Sequence, residues 1–210
     1  MHPSTGKASH IGLLLTLSPV SAQIHPYRSS DWDFLQMCLS DLRDQDVRED
    51  PWGLNTRNPG RDREYSSAML QRYRENHGFM LVAEQDGNPA GFVAAWVEKT
   101  SGQDTYSRLV RLVQGPIRRG HVSEIVVLGR FRRTGIGSRL LRAAEERLQN
   151  RDCDIIELDV GYSNSGARRF YGKSGYAPRS LSLAKRTMRG LSGRNRARHT
   201  PASHLPSKRR

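Results

Sequence analysis

At 210 residues and 23.8 kDa the chain suits one domain of ordinary size with some chain to spare. An apolar share of 36% beside 26% charged residues excludes disorder throughout, and two distant cysteines, Cys38 and Cys153, exclude a disulfide framework. The net charge of +13 is uneven: residues 185–210 hold nine Lys or Arg and no acid, Lys7 stands alone before Arg28, and residues 28–184 retain about +3.

Reduced thiols point to a cytoplasmic address. The seven histidines form no H-E-x-x-H and no paired spacing with Cys or acid, so no metal is expected. Residues 1–22 contain the short apolar run Ile11 to Leu17 and then Val20-Ser21-Ala22, a loose imitation of a signal peptidase site. That run is far too short to span a bilayer, and the segment reads as a disordered leader with no membrane role.

From Gln23 the pattern is mixed α and β. "QIHPYR" reads as an edge strand, and "SSDWDFLQMCLSDLR" as a helix capped by Ser30 or Asp31 with Phe34, Cys38 and Leu42 on one face. A turn-rich loop follows, opening with Asp41, Asp44, Asp46, Glu49 and Asp50. "DREYSSAMLQRYREN" then returns to helical spacing through Tyr65, Met69 and Tyr73. "FMLVAEQ" and "GFVAAWVEKT" flank the turn "DGNPA" as a hairpin, and "HVSEIVVL" is a further strand ending at Gly129. Next comes a helix with Ile136, Leu140, Ala144 and Leu148 at steps of four, widened by Leu141. "CDIIELDV" alternates as a half-buried strand, a last helix runs from Asn164 to Ser174, and "YAPRSLSLAKR" is expected to close the sheet. Residues 185–210 have no apolar period and read as a disordered basic tail.

The segment "GRFRRTGIGSRLL" joins a strand to a helix with three arginines beside closely spaced glycines, which suggests an anion. It is not a Walker loop: the only Gly-Lys-Ser, Gly172 to Ser174, has Ala167 where the first glycine belongs and falls inside a helix. Nor is it a Rossmann turn, since Leu140 stands in the third glycine's place and "RFRRT" separates the strand from the glycines. What remains is R-x-x-G-x-G, Arg132 to Gly137. Its backbone N–H groups and the following helix N-terminus, with about half an elementary positive charge, can converge on a pyrophosphate.

With this loop after "SEIVVL", and with "NSGARRFYGKSGYAP" downstream, the chain resembles the GNAT superfamily of acyl-CoA-dependent N-acyltransferases over residues 23–184. The resemblance implies an α/β (α+β) fold with a central mixed, mostly antiparallel sheet flanked by helices. It implies acetyl-CoA as cosubstrate, with the main chain of Ile125, Val126 and Val127 holding the pantetheine arm. The backbone of Arg132, Arg133, Thr134, Gly135, Ile136, Gly137 and Ser138 would hold the pyrophosphate. Arg132 and Arg133 can add side-chain charge, although one of them is equally a solvated loop residue. Asn164 is positioned to bond the cosubstrate arm or simply to cap its helix. Tyr171 occupies the position whose hydroxyl protonates the departing thiolate, with Ala167 and Phe170 packing inward beside it.

The reaction so implied needs a neutral amine, a polarised thioester carbonyl and a base. Glu124, on the strand before the loop, is the candidate base, and Glu84 is the reserve. The acceptor is expected to be a primary amine of a small molecule or peptide, with protein lysine also open, and the acidic loop, which the resemblance places at the acceptor side of the cleft, would suit a cationic amine. Two other readings compete: a non-catalytic acyl-CoA sensor, and a nucleic-acid binder acting through the tail. Neither explains both motifs, so no specific nucleic-acid partner is expected, and a homodimer is compatible with the sequence.

Overall fold

The computed structural model of the protein describes residues 22–98 and 117–186. The expected leader, except Ala22, and the expected tail beyond Arg186 lie outside the described residues. Five strands form one sheet in the order β1 (Gln23–Pro26), β2 (Phe79–Gln85), β3 (Asn88–Val97), β4 (Arg119–Val127), β5 (Ile155–Leu158). Neighbours are antiparallel except β4 and β5, which are parallel. The helices are α1 (Trp32–Glu49), α2 (Asp62–Glu75), α3 (Ile136–Gln149) and α4 (Ser165–Lys173). The expected mixed, mostly antiparallel sheet with flanking helices is present. Among the described residues no helix is long and apolar enough to cross a membrane.

β2 and β3 are apolar almost without interruption because both faces of the sheet are covered. Leu81, Ala83, Val93, Ala95 and Val97 point to one side, where α3 lays down Ile136, Leu140, Leu141, Ala144 and Leu148. All five of those helix residues are buried, and each Leu or Ile contributes on the order of 1.5–3 kcal/mol. Met80, Val82, Phe92, Ala94 and Val126 point to the other side, against Leu35, Cys38 and Leu39 of α1 and Met69 and Tyr73 of α2. The β2–β3 hairpin closes through Asp86 and Gly87, both at positive φ (52° and 72°), between the paired Gln85 and Asn88. That geometry matches the twist of the flanking strands.

Three expectations are corrected. The acidic segment is not a loop: α1 continues to Glu49, so Asp41, Asp44, Asp46 and Glu49 lie on a helix and Asp50 sits at its C-cap. A salt-bridge network holds that extension. Arg57 from the following loop bonds Asp44 of α1, Ser40 Oγ at 2.6 Å and Asp62 of α2 at 2.6 Å, while Arg43 reaches Asp62 at 2.6 Å. The buried face of α1 is also rotated, with Leu35, Cys38 and Leu39 innermost and Phe34 and Leu42 flanking. Finally, "YAPRSLSLAKR" forms no strand; its course is fixed instead by Arg179 on Glu157 and Arg186 on the Trp52 carbonyl, with Leu181 and Leu183 exposed. Pro178 has no N–H for a ladder, and β5 offers only four residues to pair with.

Candidate active site

β5 pairs with β4 only from Arg119 to Val122, so beyond that point β4 continues to Val127 with no strand partner on its outer edge among the described residues. On its inner edge Ala94 faces Glu124 and Ala95 faces Val122, which leaves Ser123 as the extra residue of a β-bulge. The bulge re-aims the strand. Ile125 and Val127 pack toward α3, Val126 is buried toward α1 and α2, and the two peptide units between them border the open edge. An extended amide-bearing chain can add to such an edge as a further strand does.

At the end of β4 the chain makes one turn of 3-10 helix, Gly129–Phe131, extends through Arg132 and enters α3. Arg133 and Gly135 adopt positive φ (67° and 88°), and Gly135 is the N-cap of α3. The Thr134 hydroxyl donates to the Phe131 carbonyl at 2.7 Å and fixes the bend. A Cβ built on Gly135 meets nothing within 4 Å, so glycine is required by backbone conformation and the space above it is open. No acid stands in the first turn of α3, whose N–H groups have no helical partners. The loop therefore fits a pyrophosphate. The Arg132 side chain folds back, Nε donating to the Val127 carbonyl at 2.9 Å, whereas Arg133 has an exposed side chain.

Strand end, loop and last helix meet at Gly137, where an added Cβ would stand 3.6 Å from both Phe170 and Val127. Asn164 caps α4, its side chain accepting from the Ala167 N–H at 2.8 Å. Phe170 and Tyr171 pack on the α3 side of the core, with Tyr171 5.1 Å from the Phe170 ring and 5.9 Å from that of Tyr176. Burial pushes the Tyr171 hydroxyl up to about 12.

Glu124 lies on the opposite face of the sheet, under α2. The buried Tyr73 donates its hydroxyl to Glu124 Oε2, and the Ser123 hydroxyl closes on the same oxygen while standing 3.2 Å from the Ala94 carbonyl. Burial first, then the Glu124 charge, holds the Tyr73 phenol far above its ordinary range, so it remains a donor. Tyr65 of α2 is raised by burial and then by Glu124. Asp46 of α1 is raised by burial and Glu49, against Arg43, with Glu124 contributing least. Asp46, Tyr65, Tyr73 and Glu124 thus share one field. The reserve acid Glu84 is elsewhere, on β2 and 3.2 Å from His25 Nε2.

Sequence reasoning placed Tyr73 only on the spacing of a helix, put Asp46 in an acidic loop on the acceptor side rather than on α1, and missed Ser123. The signal present was weak: a Tyr at the end of an amphipathic helix, and a Ser-Glu pair inside an apolar strand. The two hydroxyl partners are 50 positions apart.

Comparison with known proteins agrees with this architecture. The N-alpha-acetyltransferase of Sulfurisphaera tokodaii is 32% identical over 109 residues, 51% of this chain, and the chain spans 62% of that relative's length. The glucosamine-6-phosphate N-acetyltransferase of Arabidopsis thaliana superposes with a TM-score of 0.53 at 20% identity, covering 79% of this chain and 98% of that one. An aminoglycoside N-acetyltransferase solved in complex with CoA gives 0.52 at 16% identity, over 80% and 95% of the two chains. The model of the acetyltransferase (GNAT) family matches residues 40–176, and the chain belongs to that family.

Proposed function

We propose that the protein is an N-acetyltransferase that moves the acetyl group of acetyl-CoA to a primary amine of a small molecule or peptide, with residues 23–184 as the catalytic domain and the cytoplasm as its place of work. The observation that carries this reading is the open outer edge of β4, with Glu124 at its bulged start and the Arg132–Ser138 loop at its end. Pantetheine would add along Ile125, Val126 and Val127, and the pyrophosphate would sit on the N–H groups from Arg132 to Ser138. That order sets the thioester beside the bulge. The CoA complex of the aminoglycoside N-acetyltransferase of like fold supports the choice of cosubstrate.

The neutral amine attacks the thioester carbonyl carbon, Glu124 takes the amine proton, and the carbon–sulfur bond breaks with its electron pair on sulfur. Tyr171 then serves the leaving thiolate. With its hydroxyl pushed up to about 12, it stays protonated throughout the working range. Its dry surroundings favour hydrogen-bond donation over leaving a phenolate behind. Asn164 already spends its side-chain oxygen on the helix cap, so its amide N–H₂ is the part free for the cosubstrate arm.

The test is free thiol release from acetyl-CoA with a panel of primary amines. Glu124→Gln should lower kcat by about 100-fold or more, within the range of general-base catalysis, and erase the ascending acid limb of the rate profile while acetyl-CoA still binds. A variant with the wild-type profile would remove Glu124 as base. No thiol release with any amine, in a protein that binds acetyl-CoA, would favour the sensor reading.

A further inference from the structure

The face that holds Glu124 continues past Tyr73 into a groove of about 290 Å³ lined by Arg72, Trp96, Glu98, Arg119, His121 and Glu157. Its floor is aromatic. The Trp96 ring lies 5.8 Å from Tyr73 and 4.4 Å from His121, and the Arg72 guanidinium sits 4.3 Å above the indole. Stacking fixes the guanidinium plane and leaves its N–H donors free around the edge. The groove's other cation, Arg119, is engaged by Glu98 at 3.5 Å and Glu157 at 2.8 Å. No carboxylate among the described residues pairs with Arg72. The site is therefore polarised. Glu124 and Asp46 are negative at one end, and an oriented guanidinium without an acid stands at the other, with Tyr73 between them feeling both charges.

We propose that this groove is the acceptor subsite and that it selects primary amines carrying a carboxylate close to the amino group, through Arg72 stacked on Trp96. The inference rests on the acetyltransferase reading above. An ammonium drawn toward Glu124 and Asp46 must lose its proton there, while the rest of the acceptor lies along the aromatic floor and meets Arg72. The complement of that group is a carboxylate, which a guanidinium takes bidentately. The volume is at the small end for ligand sites, roughly 300–1,000 Å³, and suits one residue-sized group. Free acidic amino acids and peptides with an acidic first residue share this chemistry.

The experiment measures kcat and KM with C-terminally amidated peptides beginning in Glu, Gln or Lys, and with free glutamate. The Glu peptide should exceed the Gln peptide by about tenfold or more in kcat/KM, chiefly through KM. Arg72→Gln should collapse that ratio toward one, Arg72→Lys should keep part of it, and Arg72→Glu should turn the preference toward the Lys peptide. Arg72 is exposed, so these variants should keep the wild-type melting temperature and its shift with acetyl-CoA. Free glutamate against the Glu peptide separates a small-molecule source from a peptide one. A wild-type ratio near one, or a ratio that survives Arg72→Gln, overturns the subsite and leaves the transferase reading standing. Failure of every amine to release thiol overturns both.

Discussion

Tyr73 shows how much one hydroxyl can decide. Its ring is core, packed at 5.8 Å from Trp96, while its oxygen is the donor that α2 sends down to Glu124. Tyr73→Phe keeps the packing and removes the donor. A hydrogen bond to a charged group is worth about 1.5–3 kcal/mol. The variant should therefore lose about tenfold or more in kcat while the acetyl-CoA dissociation constant stays put. Asp46 from α1 and Tyr65 from α2 also sense this carboxylate, with Arg43 and Arg72 acting in turn on Tyr65. None is removed by the substitution. A rate profile superimposable on wild type would reduce Tyr73 to a packing residue. Cys38, by contrast, has no chemistry to offer, since burial pushes its thiol up to about 12.

Elements differ in how openly the sequence declared them. The stripe of α3 is legible because every residue it needs lies within one helix, and β2 and β3 are legible because their apolar runs are bounded by Asp-Gly. The anion loop is legible as well, because glycine at φ 88° and a helix start are both local matters. What escaped depends on distant partners. The extension of α1 through its acids is held by Arg57, which lies outside the helix, and the extra residue of the β4 bulge cannot be identified without β3 alongside. Leu181 and Leu183 alternate as strand residues do, yet no neighbour pairs with them among the described residues. The loop itself is testable. Gly135→Val forces a branched residue to φ 88°, at a cost of at least about 1–2 kcal/mol, and puts methyl groups into the open space where phosphates would lie. Affinity for CoA should fall by more than tenfold while the fold persists. Unchanged affinity would mean that the loop is only a turn.

For the whole molecule, two linked equilibria report on whether these parts act together. The first is acid stability. Asp62 is held below the ordinary carboxylate range, chiefly by its bond to Arg57 and then by Arg43. A depressed folded-state value means that the stability it lends is present above the unfolded value near pH 3.9 and is lost as pH falls through the folded one. Melting temperature should thus drop below about pH 4, and Asp62→Asn should be less stable near neutrality yet flatter through that range. An equally steep acid limb in the variant would place the acid-sensitive group elsewhere. The second equilibrium is ligand linkage. A cosubstrate gripping both the β4 edge and the α3 N-terminus binds the folded chain and not the unfolded one. At about 100 times its dissociation constant, acetyl-CoA should therefore add roughly 2.7 kcal/mol. For a chain of this size that is a rise of about 5–10 °C in melting temperature. Adenosine, which has neither pyrophosphate nor pantetheine, should leave it unmoved. Inorganic pyrophosphate should give a small part of the rise, and Gly135→Val should abolish most of it without lowering the unliganded melting temperature by a like amount. A melting temperature indifferent to millimolar acetyl-CoA would show that the open edge and the loop do not act as one site, and the proposed chemistry would lose its cosubstrate.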